Sequence, residues 1–256
     1  MSKLPASTGW LWLKQGFRLF AKQPGMLMMM LFGSTLATLL LSALLPFVGV
    51  VVATVLIPAF TMAIMQACYL VDQGQRVVPN VLLTGFRKGA LAPLCRVGAV
   101  YLGVSLILRV CTQLALSDKF WQQFKERSNP AVSFVADTSD VTALALIFLL
   151  QAMALLLLCY SAPLTHWMKM KPGKATFYSV FGVLGAFRPL LVMLFAWLGI
   201  FMAAGMVAAL IFGQGSAARV VVTWLTLMFM LILQCGIYVS YRQIFGDPDA
   251  VEVAPK

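Results

Sequence analysis

Charge is what this sequence has least of. Only 11% of its 256 residues are Asp, Glu, Lys or Arg, and 61% are hydrophobic, whereas a soluble domain carries about 25% charged residues. A water-facing surface cannot be built from so little charge, because exposed apolar area on that scale aggregates. Acids are scarcer than bases. The eight are Asp72, Asp118, Glu126, Asp137, Asp140, Asp247, Asp249 and Glu252, all in loops or termini, and no apolar run contains one. A proton-coupled carrier commonly needs an intramembrane carboxylate to bind and release its ion, so a conventional proton-driven transporter is not expected. A facilitator or a backbone-coordinated ion site stays open. His166 is the single histidine. Without Ser, Cys or an acid at motif spacing it supports neither a triad nor a metal centre. The five cysteines, Cys68, Cys95, Cys111, Cys159 and Cys235, form no CxxC and lie inside or at the ends of apolar runs. That excludes a zinc site and a secreted disulfide framework, leaving them as small packing residues. No glycine-rich phosphate loop occurs, since Gly182-Val183-Leu184-Gly185 reads as close helix packing. No metal, cofactor or catalytic residue is therefore assigned.

What is there is long apolar runs. Six reach the ~20 residues that cross ~30 Å of hydrocarbon at ~1.5 Å per residue: Met26–Leu45, Phe47–Val71, Ala92–Leu116, Val141–Thr165, Leu190–Phe212 and Val220–Tyr241. The expected fold is an all-α polytopic membrane protein with six transmembrane helices. Residues 1–245 form one helical domain, and 246–256 a disordered cytoplasmic tail of mixed charge. Pro46 marks a tight turn between the first two spans, and Pro58 is expected to kink the second. The first run is too long for a signal-peptide core and should insert uncleaved.

Net charge is +11, and its distribution orients the chain. Lys3, Lys14, Arg18 and Lys22 precede span one; Arg76, Arg87, Lys88 and Arg96 precede or open span three; Lys169, Lys171, Lys174 and Arg188 precede span five; Arg242 and Lys256 follow span six. These fourteen of the nineteen bases fall on one side, against Lys119, Lys125, Arg127 and Arg219 on the other. Short cytoplasmic loops collect Lys and Arg, so both termini are expected in the cytoplasm. Bases in short loops beside apolar spans suit anionic lipid rather than nucleic acid.

A looser regularity suggests three helical-hairpin repeats. Phe17-Arg18 precedes Pro24, and Phe86-Arg87 precedes Pro93, with five residues between in both cases; Phe187-Arg188-Pro189 keeps the residue types only. Each basic segment is expected to hold a short interfacial amphipathic helix. In the first, Trp10, Leu13, Phe17 and Phe20 share a face flanked by Lys14 and Arg18. The one long loop on the other side opens at Ser117-Asp118, a helix-start signal, and places Phe120, Trp121 and Phe124 together before Asn129-Pro130.

Two groups are candidate anion- or lipid-binding sites. Arg109 lies inside span three, about 10 Å from its far end at ~1.5 Å per residue. Ser105, Thr112 and Gln113 share its face at i−4, i+3 and i+4. The arginine either snorkels to headgroups, Asp137 or Asp140, or forms an anion-binding face inside the bundle. The second group is Lys169, Lys171 and Lys174 beside His166 and Trp167, able to hold anionic headgroups at ~1 kcal/mol per base. Ser34, Thr38 and Ser42, with Gln151 and Gln234, read first as helix-packing polar groups.

Gly9-Trp10 through Phe17-Arg18-Leu19-Phe20, Ser161-Ala162-Pro163-Leu164 and Met170-Lys171-Pro172-Gly173-Lys174-Ala175 resemble an uncharacterised proteobacterial family of six-span inner-membrane proteins. That family is distantly similar to the membrane domain of glycerophosphodiester phosphodiesterases. The resemblance implies a bacterial inner membrane and brings no catalytic residues, because the soluble phosphodiesterase domain is absent. The expected function is non-enzymatic: lipid handling, transport, or an accessory subunit with a protein partner or a second copy. A membrane-embedded lipid-phosphate hydrolase or transferase is the alternative, with Arg109 and His166 as candidate residues that the expected topology puts toward opposite faces of the membrane, unable to form one site. The topology is tested by fusions: alkaline phosphatase within Asn129–Asp140 should be active, and in the tail inactive. The reverse pattern, or activity in both, would refute six spans with cytoplasmic termini.

Overall fold

The computed structural model describes residues 4–45, 48–87, 89–125, 137–213 and 215–248. Among these the chain is helical, with no strand. Helix α1 (Thr8–Lys22) leads into the hairpin α2 (Pro24–Leu44) and α3 (Val48–Asp72). A 3-10 segment, Pro79–Phe86, precedes α4 (Leu91–Ala115), the short α5 (Asp118–Lys125), α6 (Thr138–Leu158) and α7 (Ser161–His166). Helix α8 (Pro172–Gly185) introduces α9 (Phe187–Phe212) and α10 (Ser216–Phe245). Six stretches are long and apolar enough to cross a membrane: α2, α3, α4, α6 with α7, α9 and α10. They coincide with the six expected spans. The Asn129-Pro130 stop and the end of the tail lie outside the described residues.

Each hairpin follows a short helix, and a proline stands in the first turn of α2, α4 and α9, as Pro24, Pro93 and Pro189. The missing N–H is harmless there, since that amide has no intrahelical acceptor. The middle short element is a 3-10 helix rather than an amphipathic α-helix. Pro58 sits within α3, which stays one helix across it.

The core gathers at the end of the bundle that carries α1 and the basic loops, here the basic end. Leu27 and Met30 of α2, Met62 to Val71 of α3, Leu94 of α4, Leu190 and Met193 of α9, and Leu231 to Tyr241 of α10 bury their side chains there. Helix α1 packs on α9 and α10. It does so with Trp12, Leu13, Gly16, Leu19 and Phe20, while Trp10 and Phe17 remain exposed. The expected Trp10–Leu13–Phe17–Phe20 face is therefore split: part of it docks on protein, and the two outward aromatics suit the acyl boundary. Glycine sets this docking. A Cβ on Gly16 would lie 2.6 Å from the amide nitrogen of Gly236, so two backbones touch. Asp72 ties α3 to α10, accepting an ion pair from Arg242 and the Tyr238 hydroxyl at 3.1 Å.

The fourth span is not continuous, contrary to the single run read from the sequence. It breaks at Cys159-Tyr160 between α6 and α7. Pro163 supplies no N–H to the Cys159 carbonyl, four residues back, and bilayer hydrocarbon offers no water in place of lost helical donors. Side chains serve the carbonyls of the last turn of α6. Ser179 Oγ donates to the Leu157 carbonyl at 2.7 Å, and Ser161 Oγ and the Tyr101 hydroxyl donate to the Leu158 carbonyl at 2.6 and 2.9 Å.

Away from the basic end the spans separate. Leu114 and Leu210 are each 82% exposed and Phe148 76%, apolar surfaces for lipid or another protein to cover. Ser34, Thr38 and Ser42 each donate to a carbonyl of their own helix, so that stripe is spent within α2. Gly16→Leu should destabilise the detergent-purified protein by about 1–3 kcal/mol, since overpacking cannot be relieved by a backbone. Exposed Lys14→Ala should stay within ~0.5 kcal/mol. Thermal unfolding monitored by size-exclusion fluorescence measures both.

Candidate functional site

Where the spans separate, a cleft of about 1190 Å³ opens between α3, α4 and α6, with Trp121 and Phe124 of α5 at its margin. Ser105, Arg109, Thr112 and Gln113, the four residues that the sequence places on one face, all line it. Thr54 of α3 and Gln151 of α6 join them, while Val50, Leu106, Ile147 and Phe148 supply apolar wall. The hydroxyls of Thr112 and Thr54 are used by their own helices, donating to the Leu108 and Val50 carbonyls at 2.8 Å. Among the described residues, Arg109 makes no ion pair and no carboxylate lines the cleft.

Asp140 is not available to Arg109. It is buried and accepts from both the amide and the hydroxyl of Ser117, at 2.9 and 2.7 Å. Ser117 Oγ in turn accepts the Phe120 amide at 3.2 Å. The Ser117-Asp118 start signal is thus a real cap for α5, with the start of α6 as its anchor. The pairing of Arg109 with Asp140 considered from sequence is replaced by this cap. The indole N–H of Trp121 is buried and has no acceptor among the described residues.

A second, smaller pocket of about 370 Å³ lies at the basic end. Gly89, Ala90 and Pro93, leading into and opening α4, face Thr165 and His166 of α7 across it, with Lys169 and Met170 following. The charges of Arg87 and Lys169 reach His166. Lys169 adopts a left-handed backbone, φ 50°, uncommon for a side-chain-bearing residue. The expected lysine cluster does not share this pocket. Lys174 sits 5.6 Å from the Tyr178 ring centroid, Lys171 is exposed ahead of α8, and only Lys169 enters. Arg109 and His166 line different cavities near opposite ends of α4, which leaves no single site for the two to share. Among the described residues, no His, Cys, Asp and Glu groups converge as metal ligands.

Sequence reading missed the convergence of Thr54 and Gln151 on Arg109. Gln151 reads from sequence as a helix-packing polar group and Thr54 carries no signal of its own, and no spacing rule links three helices. The Ser161-Ala162-Pro163 break carried a signal, a proline amid small residues well inside the run.

No family model matches the chain, and no solved structure matches it. It is similar to a probable inner membrane protein of Burkholderia thailandensis, 28% identical over 254 residues, which span 95% of this chain and 93% of the relative. That likeness runs through all six spans.

The chain is a multi-pass inner-membrane protein.

Nothing in these comparisons supports the distant likeness to the phosphodiesterase membrane domain. For this membrane protein the Ser117–Asp140 cap fixes where α5 meets the cleft. Asp140→Ala should cost about 1 kcal/mol at that helix start and raise amide hydrogen exchange across 118–125. Unchanged exchange there would show that α5 is held by other contacts.

Proposed function

We propose that this protein is a non-enzymatic lipid-handling protein with both termini in the cytoplasm, whose cleft holds an anionic amphiphile by its headgroup on Arg109. The observation that carries this reading is the convergence of Arg109, Gln113 and Gln151 on one apolar-walled cleft without a carboxylate. An arginine in low dielectric costs several kcal/mol unless paired, and a cleft offering no acid among its described lining leaves the pairing to a ligand. Its guanidinium can take a phosphate through two parallel hydrogen bonds, with Gln113 and Gln151 supplying further amide donors. The apolar walls suit acyl chains, and the volume exceeds the ~300–1,000 Å³ of ordinary small-molecule pockets.

The hydrolase or transferase reading has no one site for its two candidates, since Arg109 and His166 line different cavities, as their expected placement at opposite faces requires. An accessory-subunit role is distinguished by co-purification of a stoichiometric protein. The lipid reading is tested by native mass spectrometry of the gently extracted protein. Arg109→Gln should lower retained anionic phospholipid about tenfold, the equivalent of ~1.4 kcal/mol, and Arg109→Lys should keep part of it. Equal retention in wild type and Arg109→Gln would mean that the arginine merely snorkels.

A further inference from the structure

The two cavities share one seam. Helix α4 presents Pro93, Val97, Tyr101, Ser105, Leu108 and Thr112 at intervals of three and four residues, the repeat of a single helix face. Pro93 lines the basic pocket, and Ser105, Leu108 and Thr112 line the Arg109 cleft. Across from them stand α6 and α7, which contribute Ile147, Phe148 and Gln151 to the cleft and Thr165 and His166 to the pocket. Between Pro93 and Leu102, the first cleft residue of α4, lies about 14 Å of helix at ~1.5 Å per residue. What fills that interval is small: Val97, Tyr101 and Leu158 form a separate buried cluster, with Val104 packed against it. The Tyr101 hydroxyl closes it by donating to the Leu158 carbonyl at 2.9 Å. That carbonyl is free to accept because the span breaks immediately afterwards, at Cys159-Tyr160.

The geometry points to this seam as a path along which an anionic phospholipid headgroup passes between the two leaflets, with Tyr101 as the gate. The inference rests on the lipid-handling reading of the Arg109 cleft and adds a second station and a barrier to it. Arg109 with Gln113 and Gln151 receives the headgroup at one end; Lys169, beside His166, receives it at the other. Both stations are cationic, and neither has a carboxylate among its described lining residues, so a phosphate is attracted at each end. The acyl chains need no protein enclosure, because the open flanks of the spans already face lipid. The barrier is this small cluster, whose largest member, Tyr101, is tied by one hydrogen bond to a helix terminus that is not locked into an α-helical ladder. Displacement of the Tyr101 ring would loosen the cluster between the cavities while leaving the remaining helix-break bonds from Ser161 and Ser179 intact. That is the arrangement expected where irregular backbone lines a passage instead of facing lipid.

The test uses the full chain in vesicles of phosphatidylcholine and phosphatidylglycerol carrying a trace of fluorescently headgroup-labelled phosphatidylethanolamine, an anionic probe, with dithionite bleaching the outer leaflet. Wild type should expose inner-leaflet probe that protein-free vesicles protect, while an entrapped water-soluble dye stays unbleached. Arg109→Gln and Lys169→Gln should each slow exposure about fivefold, the factor one headgroup-facing cation is worth. Tyr101→Ala should accelerate it severalfold. Tyr101→Phe keeps the ring and removes only the hydrogen bond, so it should fall between the two without a folding defect. Inner-leaflet protection in wild type equal to that of protein-free vesicles overturns the path. If Arg109→Gln nevertheless loses bound lipid in the mass spectrum, the cleft reading survives that result. Protein-dependent exposure with no slowing in either cation variant overturns the assigned stations, and equal rates for wild type, Tyr101→Phe and Tyr101→Ala overturn the gate.

Discussion

Two apolar helices gain little from each other in hydrocarbon, because lipid tails solvate leucine as well as leucine does. Association therefore depends on what lipid cannot supply: backbone contact at small residues, and hydrogen bonds. Both are concentrated at the basic end. Gly16 and Gly236 let α1 reach the backbone of α10, and Asp72 holds Arg242 and Tyr238. Trp167 donates to Gln66 at 2.9 Å, and the Tyr160 and Ser240 hydroxyls meet at 2.6 Å. Aromatic side chains fill the remaining space, with Trp167 and Tyr241 centroids 5.1 Å apart and Tyr160 and Phe245 5.5 Å.

Toward the other end these devices thin out, the close approach of Gly49 to the Leu41 backbone at the α2–α3 turn being one that persists. With fewer such contacts between α3, α4 and α6 there, the bundle opens. The cleft follows from that asymmetry: one end is pinned, the other is left to the bilayer. Helix α5 is the exception, drawn in by Ser117 on Asp140. The polar groups left in the cleft, Arg109 foremost, then sit where lipid can reach them.

The broken fourth span is the other place where backbone chemistry shapes the molecule. Helix α6 ends at Leu158, and the carbonyls of Leu157 and Leu158 in its last turn are taken up by side chains from α4, α7 and α8. These bonds make the break a junction of several elements instead of a defect in one. It lies along the same α4 face that carries both cavities.

The six spans, their approximate ends and the clustering of bases on one set of loops were all legible in the sequence, because each depends on local composition read against a fixed hydrocarbon thickness. The Ser105–Arg109–Thr112–Gln113 face was legible as well, since helical periodicity alone puts those residues together. Tertiary structure decided the rest. Which side of α1 faces protein depended on where α9 and α10 lay, and a hydrophobic pattern cannot distinguish a lipid-facing tryptophan, Trp10, from a buried one, Trp12. That Asp140 serves Ser117 and not Arg109, and that Thr54 and Gln151 line the same cleft as the arginine, are relations between distant segments. Sequence fixes such residues only in identity; their distances are set by how tightly one end of the bundle packs and how far the other is allowed to open.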